Sequence, residues 1–171
     1  MILQKISLNS FGRQISFRKF HVANSANMIT VSSIIAHKNK LPVTVSPGTT
    51  VLDALQLMAE KNIGSVVVMQ NDQYFGIMTE RDYSRKVILK GKNSTNTIVS
   101  EIMSIDLPSV KPEDTLEYCM ELMTARNIRY MPVFENNKLT GIISMSDVVK
   151  ETILSQKETI SHLESYIHSN V

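Results

Sequence analysis

Gly76-Ile77-Met78-Thr79-Glu80-Arg81-Asp82 and, 65 positions later, Gly141-Ile142-Ile143-Ser144-Met145-Ser146-Asp147 share one pattern: a glycine, apolar residues, a hydroxyl, and a carboxylate three residues on. Working outward at the same offset, residues 45–89 fall on 110–154 without a gap. Pro47 meets Pro112, Thr50 meets Thr115, Leu57-Met58 meets Leu122-Met123, Asn62-Ile63 meets Asn127-Ile128, and Ile88-Leu89 meets Ile153-Leu154. A period this long, present twice, points to two copies of one small unit that bury a face against each other. The lead-ins Val31-Ser32-Ser33-Ile34-Ile35 and Val99-Ser100-Glu101-Ile102-Met103 match as well, now offset by 68.

Each copy reads as β-α-β-β-α, a mixed α/β (α+β) unit. Val43-Thr44-Val45 and Ser109-Val110 supply a short opening strand. Val51, Leu55 and Met58 recur at helical spacing, with Thr50 and Asp53 at capping-box spacing before them. A β-branched strand, Ser65 to Met69, follows, then an Asn71-Asp72 turn and a second strand, Tyr74 to Met78. A further helix is expected from about Thr79 to Leu89. The second copy repeats this with a helix from about Thr115 to Arg126, strands near Met131–Phe134 and Leu139–Ile143, and a helix from about Ser144. Lys90 to Asn96 reads as an exposed link. The expected division is a leader at 1–27, repeat 1 at 28–95, repeat 2 at 96–154 and an amphipathic carboxy-terminal helix at 155–171.

Composition narrows the function classes. The chain has 171 residues, 43% apolar and 20% charged, as an ordinary globule has. No apolar run approaches the ~20 residues of a membrane span. A single cysteine excludes an intrachain disulfide. Cys119 sits in an apolar stripe with Leu116, Met120 and Met123, so packing rather than nucleophilic chemistry is expected of it. All four histidines lie outside the duplicated segment, and there is no Cys/His zinc spacing, nucleophile elbow or phosphate loop. From Met28 on, 14 basic against 16 acidic residues leave a nearly neutral body, a poor match to nucleic acid.

The strings Gly76–Asp82 and Arg129-Tyr-Met-Pro-Val-Phe134 with Gly141–Asp147 resemble a tandem cystathionine-β-synthase (CBS) domain pair, or Bateman module. The resemblance covers about Val31 to Leu154 and is strongest to small stand-alone pairs. It implies two units packed as a pseudo-two-fold pair, sheet to sheet, with adenine nucleotides in the clefts between them. The implied function is a non-catalytic sensor whose regulatory ligand is AMP, ADP or ATP, with NAD or adenosylmethionine also in range. It would have no tightly bound cofactor or metal and would signal to a regulated protein. The alternative is an interaction module without ligand.

Thr79-x-x-Asp82 and Ser144-x-x-Asp147 each stand where a strand turns into a helix, and two uses of that place remain open. A hydroxyl and a carboxylate at this spacing form a capping box. An ionised carboxylate also accepts hydrogen bonds from vicinal ribose hydroxyls, while a helix start offers N–H groups and positive potential to phosphate. By resemblance, Asp82 and Asp147 hold ribose, and Thr79 and Ser144 contact ribose or phosphate. Arg129 matches a basic residue that reaches phosphate, and Tyr130 stands where relatives often carry histidine. Arg81 joins this set. Arg81, Arg85 and Lys86 have Ser146, Lys150 and Glu151 as counterparts, while Gly64 and Ser65 stand opposite Arg129 and Tyr130. Two clefts that differ in affinity or in ligand are expected.

Beyond the second copy, Val149, Ile153, Ile160, Leu163 and Ile167 continue one apolar stripe. It covers either its own body or a partner, and a homodimer contact is the expectation. At the other end, residues 1–27 carry Lys5, Arg13, Arg18 and Lys19 and no acid. They also lack the apolar core of a secretory signal, a composition that fits a mitochondrial transit peptide. The alternative is a cytoplasmic protein starting at Met28. If the leader is a transit peptide, fusing residues 1–27 to a reporter directs it to mitochondria. Neutralising Arg13, Arg18 and Lys19 then abolishes import, because the membrane potential acts on charge. A reporter left in the cytosol by the intact leader contradicts this.

Overall fold

The computed structural model describes residues 28–169, and the leader at 1–27 lies outside them. In chain order the elements are α1 (Val31–Lys38), β1 (Thr44–Val45), α2 (Val51–Lys61), β2 (Ser65–Gln70), β3 (Gln73–Thr79), α3 (Glu80–Lys86), α4 (Leu116–Arg126), β4 (Tyr130–Glu135), β5 (Lys138–Ser144) and α5 (Met145–Ser169). Short 3₁₀ turns occupy Ile88–Lys90 and Val99–Glu101.

The residues kept by both copies have local reasons. Thr50 and Thr115 are N-caps whose hydroxyls accept from the backbone N–H of Asp53 and Tyr118. Asn62 and Asn127 close the same two helices in the left-handed region, both at φ 51°, which asparagine tolerates better than most side chains. The hairpins turn at Asn71-Asp72 and Asn136-Asn137 with positive φ at both residues of each pair. That is the twist a two-residue hairpin requires. β2 and β3 pair antiparallel, with β1 parallel to β2; β4 and β5 pair the same way, and Val110 bridges in parallel to Val133 where the other copy has β1. Both hairpins bulge at the corresponding step, Val68/Met69 and Val133/Phe134. The two sheets meet with Tyr74 edge-on to Phe134, ring centroids 5.3 Å apart.

The cores do not follow chain order. Val31 and Ile34 of α1 pack with Val110, Leu116, Met123, Met131 and Ile143, the core of the second unit. Val99 and Ile102 pack with Val51, Met58, Val66 and Met78, the core of the first. The backbone makes the exchange twice in the same way. Val31 N–H donates to the Asp114 carbonyl and Ser32 to Pro112, both at 2.9 Å. Val99 donates to Thr49 at 2.8 Å and Ser100 to Pro47 at 3.0 Å. The duplicated glycines are the seats of these crossing segments. A Cβ on Gly76 would lie 2.6 Å from the Ser104 carbonyl oxygen, and one on Gly141 would collide with Ile35.

One expected helix is shorter. α3 stops at Lys86 rather than near Leu89, because Val87 turns into the first core, fully buried, and Lys90 and Lys92 donate back to its carbonyl. Gly91, at φ 65°, then releases the chain into the exposed link. Nothing interrupts the second copy, so α5 runs 25 residues. Its stripe does not cover its own body: Val149, Ile153, Ile160, Leu163 and Ile167 are 44–61% exposed.

The exchange is testable by stability. Ile34, 2% exposed, belongs to the lead-in of the first repeat but packs in the second unit. Ile34→Ala is expected to lower unfolding free energy by about 2–4 kcal/mol, with loss of amide protection concentrated in α4, β4 and β5. A cost below about 1 kcal/mol, or protection lost around β2 and β3 instead, contradicts the packing.

Candidate functional site

Each capped strand end holds its aspartate in the same frame. At the first, Thr79 Oγ1 donates to Asp82 Oδ2 at 2.6 Å and Thr79 N–H to the same oxygen at 3.0 Å, while the Asp82 N–H returns to Thr79 Oγ1 at 3.1 Å. At the second, Ser144 Oγ and N–H reach Asp147 Oδ2 at 2.6 and 2.8 Å, and the Asp147 N–H returns at 3.2 Å. The capping reading is therefore realised at both places. It uses Oδ2 and leaves Oδ1 to the surroundings.

The surroundings differ. Asp82 Oδ1 accepts from Ser104 Oγ at 3.0 Å and pairs with Lys86 Nζ at 2.7 Å, four residues along the same helix. Both of its oxygens are thus engaged by the chain, and the residue is buried. The position matching Lys86 is Glu151, so no lysine stands four residues after Asp147 on α5. The cation comes from α1 instead: Lys38 Nζ donates to Asp147 Oδ2 at 2.8 Å and to the Ile142 carbonyl at 3.1 Å. Glu151, itself buried, is met by His37 Nδ1 at 2.9 Å. Among the described residues no group donates to Asp147 Oδ1. Burial pushes the Asp147 carboxyl up, but Lys38 and then Ser144 outweigh it and hold it below its ordinary value of 3.8.

Five of the seven sequence-derived residues share one cavity. Thr79, Arg81, Asp82, Arg129 and Tyr130 line a space of about 110 Å³ between the units, closed by Ser104. Arg81 crosses it, Nη1 donating to the Asn127 carbonyl at 2.8 Å, at the end of α4. Tyr130 reaches across to Gly64, where an added Cβ would lie 2.5 Å from its hydroxyl. Desolvation, and then Glu80, raise the Tyr130 phenol, with Arg129 opposing. Ser144 opens instead on a broader groove of about 700 Å³ beside α5, with Arg129, Tyr130, Met145, Val149 and Lys150. Asp147 pairs with Lys38 and is not among the residues lining that groove. The groups that sequence reading missed are Lys38 and Ser104, both on lead-in segments. The exchange of Lys86 for Glu151 was the available signal that the second aspartate needs a cation from elsewhere. Cys119 is fully buried, and its thiol is pushed up to about 11, first by desolvation and then by Asp114 and Glu117.

A family model described as CBS domain matches residues 28–88 and 99–153. The chain is 34% identical over 147 residues to the mitochondrial CBS domain-containing protein CBSX3 of Arabidopsis thaliana, an alignment covering 81% of this chain and 71% of that one. Among solved structures, the CBS domain NE2398 superposes with a TM-score of 0.71 at 38% identity, covering 74% of this chain and 99% of that one. The CBS domain pair of protein MJ0100, in complex with 5′-methylthioadenosine and S-adenosyl-L-methionine, has the same fold at 20% identity, with a TM-score of 0.66 over 77% and 99% of the chains.

A depressed folded-state pKa at Asp147 contributes stability that is present above the unfolded value of 3.8 and lost as pH falls through the lower folded value. The difference in unfolding free energy between the protein and Asp147→Asn is therefore expected to be flat above about pH 5 and to shrink below it. A difference that grows on acidification contradicts the assigned Lys38 and Ser144 contacts.

Proposed function

The chain belongs to the CBS-domain family, and from that premise and its two capped carboxylates we propose a non-catalytic regulatory protein that binds an adenine nucleotide in the clefts between its CBS units. One observation carries the reading: at both strand ends a carboxylate is held rigidly by a cap that uses only one of its oxygens. A fixed acceptor beside a cleft suits the paired hydroxyls of a ribose. Arg81 and Arg129 bring positive charge to the Asp82 cleft, where a phosphate would need it. The adenosyl ligands of the MJ0100 pair support the same ligand class.

Size makes binding a signal. A cavity of about 110 Å³ is well below the roughly 300 Å³ at which small-molecule sites begin. A nucleotide entering there has to part the units and pull Arg81 from the Asn127 carbonyl. The displacement passes along α5 to its exposed stripe, which we assign to a homodimer contact and to the regulated protein partner. The acid-free leader and the mitochondrial relative support a mitochondrial address. A second reading, an interaction module without ligand, is favoured by Asp82 alone, whose two oxygens are already taken by Thr79, Ser104 and Lys86.

A nucleotide that binds only the folded state stabilises by about 2.7 kcal/mol at 100 times its dissociation constant. For a chain of this length that raises the melting midpoint by about 5–10 °C. A thermal-shift panel of AMP, ADP, ATP, adenosylmethionine and NAD is expected to show such a rise for at least one compound. Movement of less than about a degree by all of them at millimolar levels favours the ligand-free module.

A further inference from the structure

The apolar residues that α5 exposes repeat on a heptad. Ile153, Ile160 and Ile167 stand seven apart, and Val149, Gln156 and Leu163 each precede one of them by four. A seam of this spacing is that of a pair of supercoiled helices, and one polar residue within it fixes the register. Its five apolar members are 44–61% exposed. α5 runs to Ser169, past the CBS match that ends at residue 153, so the distal half of the seam projects beyond the repeat. The two halves differ in charge. The groove of about 700 Å³ beside the proximal half is lined by Arg129, Lys150 and Lys157 and by no carboxylate. Residues 158–169 carry Glu158 and Glu164 and no lysine or arginine.

We propose that the groove beside α5 seats the α5 of a second copy of this chain, laid antiparallel, so that the acidic distal half of each helix enters the basic groove of the other. Val149 then meets the partner's Ile167, Ile153 the partner's Leu163 and Gln156 the partner's Ile160, with the two-fold axis passing near residue 158. All five apolar members of the seam are covered at once, and the same surface serves both copies, so the contact closes as a dimer. The partner's Glu164 falls between Lys150 and Lys157. Helix side chains lean toward the N-terminus, which carries the two copies of Lys157 apart and each toward the partner's Glu164. A parallel pair would set basic half on basic half and acidic half on acidic half. The proposal rests on the homodimer contact assigned to this stripe above and deepens it, giving that contact its partner segment and its direction. It does not depend on nucleotide. Ser144 lines the same groove, so the partner's tail becomes one wall of the space on which that cap opens.

Light scattering and cysteine cross-linking of the full chain test this. The unsubstituted protein is expected to have twice the mass of one chain, and Leu163→Asp, at an exposed position, to halve that mass with an unchanged circular dichroism spectrum. Direction is read from Ile153→Cys and Leu163→Cys, each alone and mixed under mild oxidation; Cys119 is fully buried and out of reach. In the antiparallel pair each new thiol lies ten residues, about 15 Å along the axis, from its own copy in the partner, too far for a disulfide. A covalent dimer is therefore expected from the mixture and from neither variant alone. Leu163→Cys that cross-links to itself overturns the antiparallel seat while leaving a homodimer through this stripe. A dimer that Leu163→Asp does not dissociate overturns the proposal and moves the interface onto the body. A monomeric unsubstituted protein overturns the proposal and the homodimer assignment together, and leaves the groove to a different protein.

Discussion

The site depends on one hydrogen-bonded turn, in which a hydroxyl closing a β-hairpin and a carboxylate three residues on cap one another. The cap fixes where the following helix starts and spends one carboxylate oxygen in doing so. What becomes of the other oxygen separates the two halves of the molecule. At Asp82 it is consumed by Ser104 and by a lysine of the same helix. At Asp147 the cation sits on the capped oxygen and the second one stays available. Structural and ligand uses of this motif are therefore compatible, because they draw on different atoms.

The crossing of the lead-ins decides which atoms meet there. Each lead-in docks on the other half through the same pair of backbone hydrogen bonds, and each passes over a strand glycine whose missing side chain is the space it fills. Ser104 comes to Asp82 by this route, and Lys38 to Asp147. The cavity at Asp82 is lined from both repeats, Thr79 to Asp82 from one and Asn127 to Tyr130 from the other. The Lys38–Asp147 pair is partly exposed, so its contribution to stability is of order 1 kcal/mol or less.

The features legible in the sequence were those written locally. The repeat, the turn at Asn71-Asp72 and the threonine starts of α2 and α4 each follow from a few neighbouring residues, whereas the left-handed conformations of Asn62 and Asn127 and the turn at Asn136-Asn137 emerge only in the structure. The early end of α3 was not readable, because Val87 belongs to an apolar pattern that suits a longer helix equally well and is drawn inward by the first core. The exchange of α1 was hidden for a related reason. Val31 and Ile34 are as apolar as Val99 and Ile102, so periodicity does not say which core receives which lead-in. Lys38 was invisible with it. Arg81 and Arg129 line one cavity with Asp82, and Arg81 also bridges to the end of α4, a role that no spacing discloses.

The function proposed above rests on the narrow cavity at Asp82, which a nucleotide would have to part, and on the exposed stripe of α5. The central claim is that the capped aspartates hold ribose. The most direct measurement is a crystal structure of the protein grown with saturating AMP. The result expected is nucleotide between the units, its ribose hydroxyls within about 3 Å of the Asp82 or the Asp147 carboxylate, the distance of a hydrogen bond. A nucleotide seated elsewhere, or no nucleotide while both aspartates keep only their cap and lysine contacts, would contradict it.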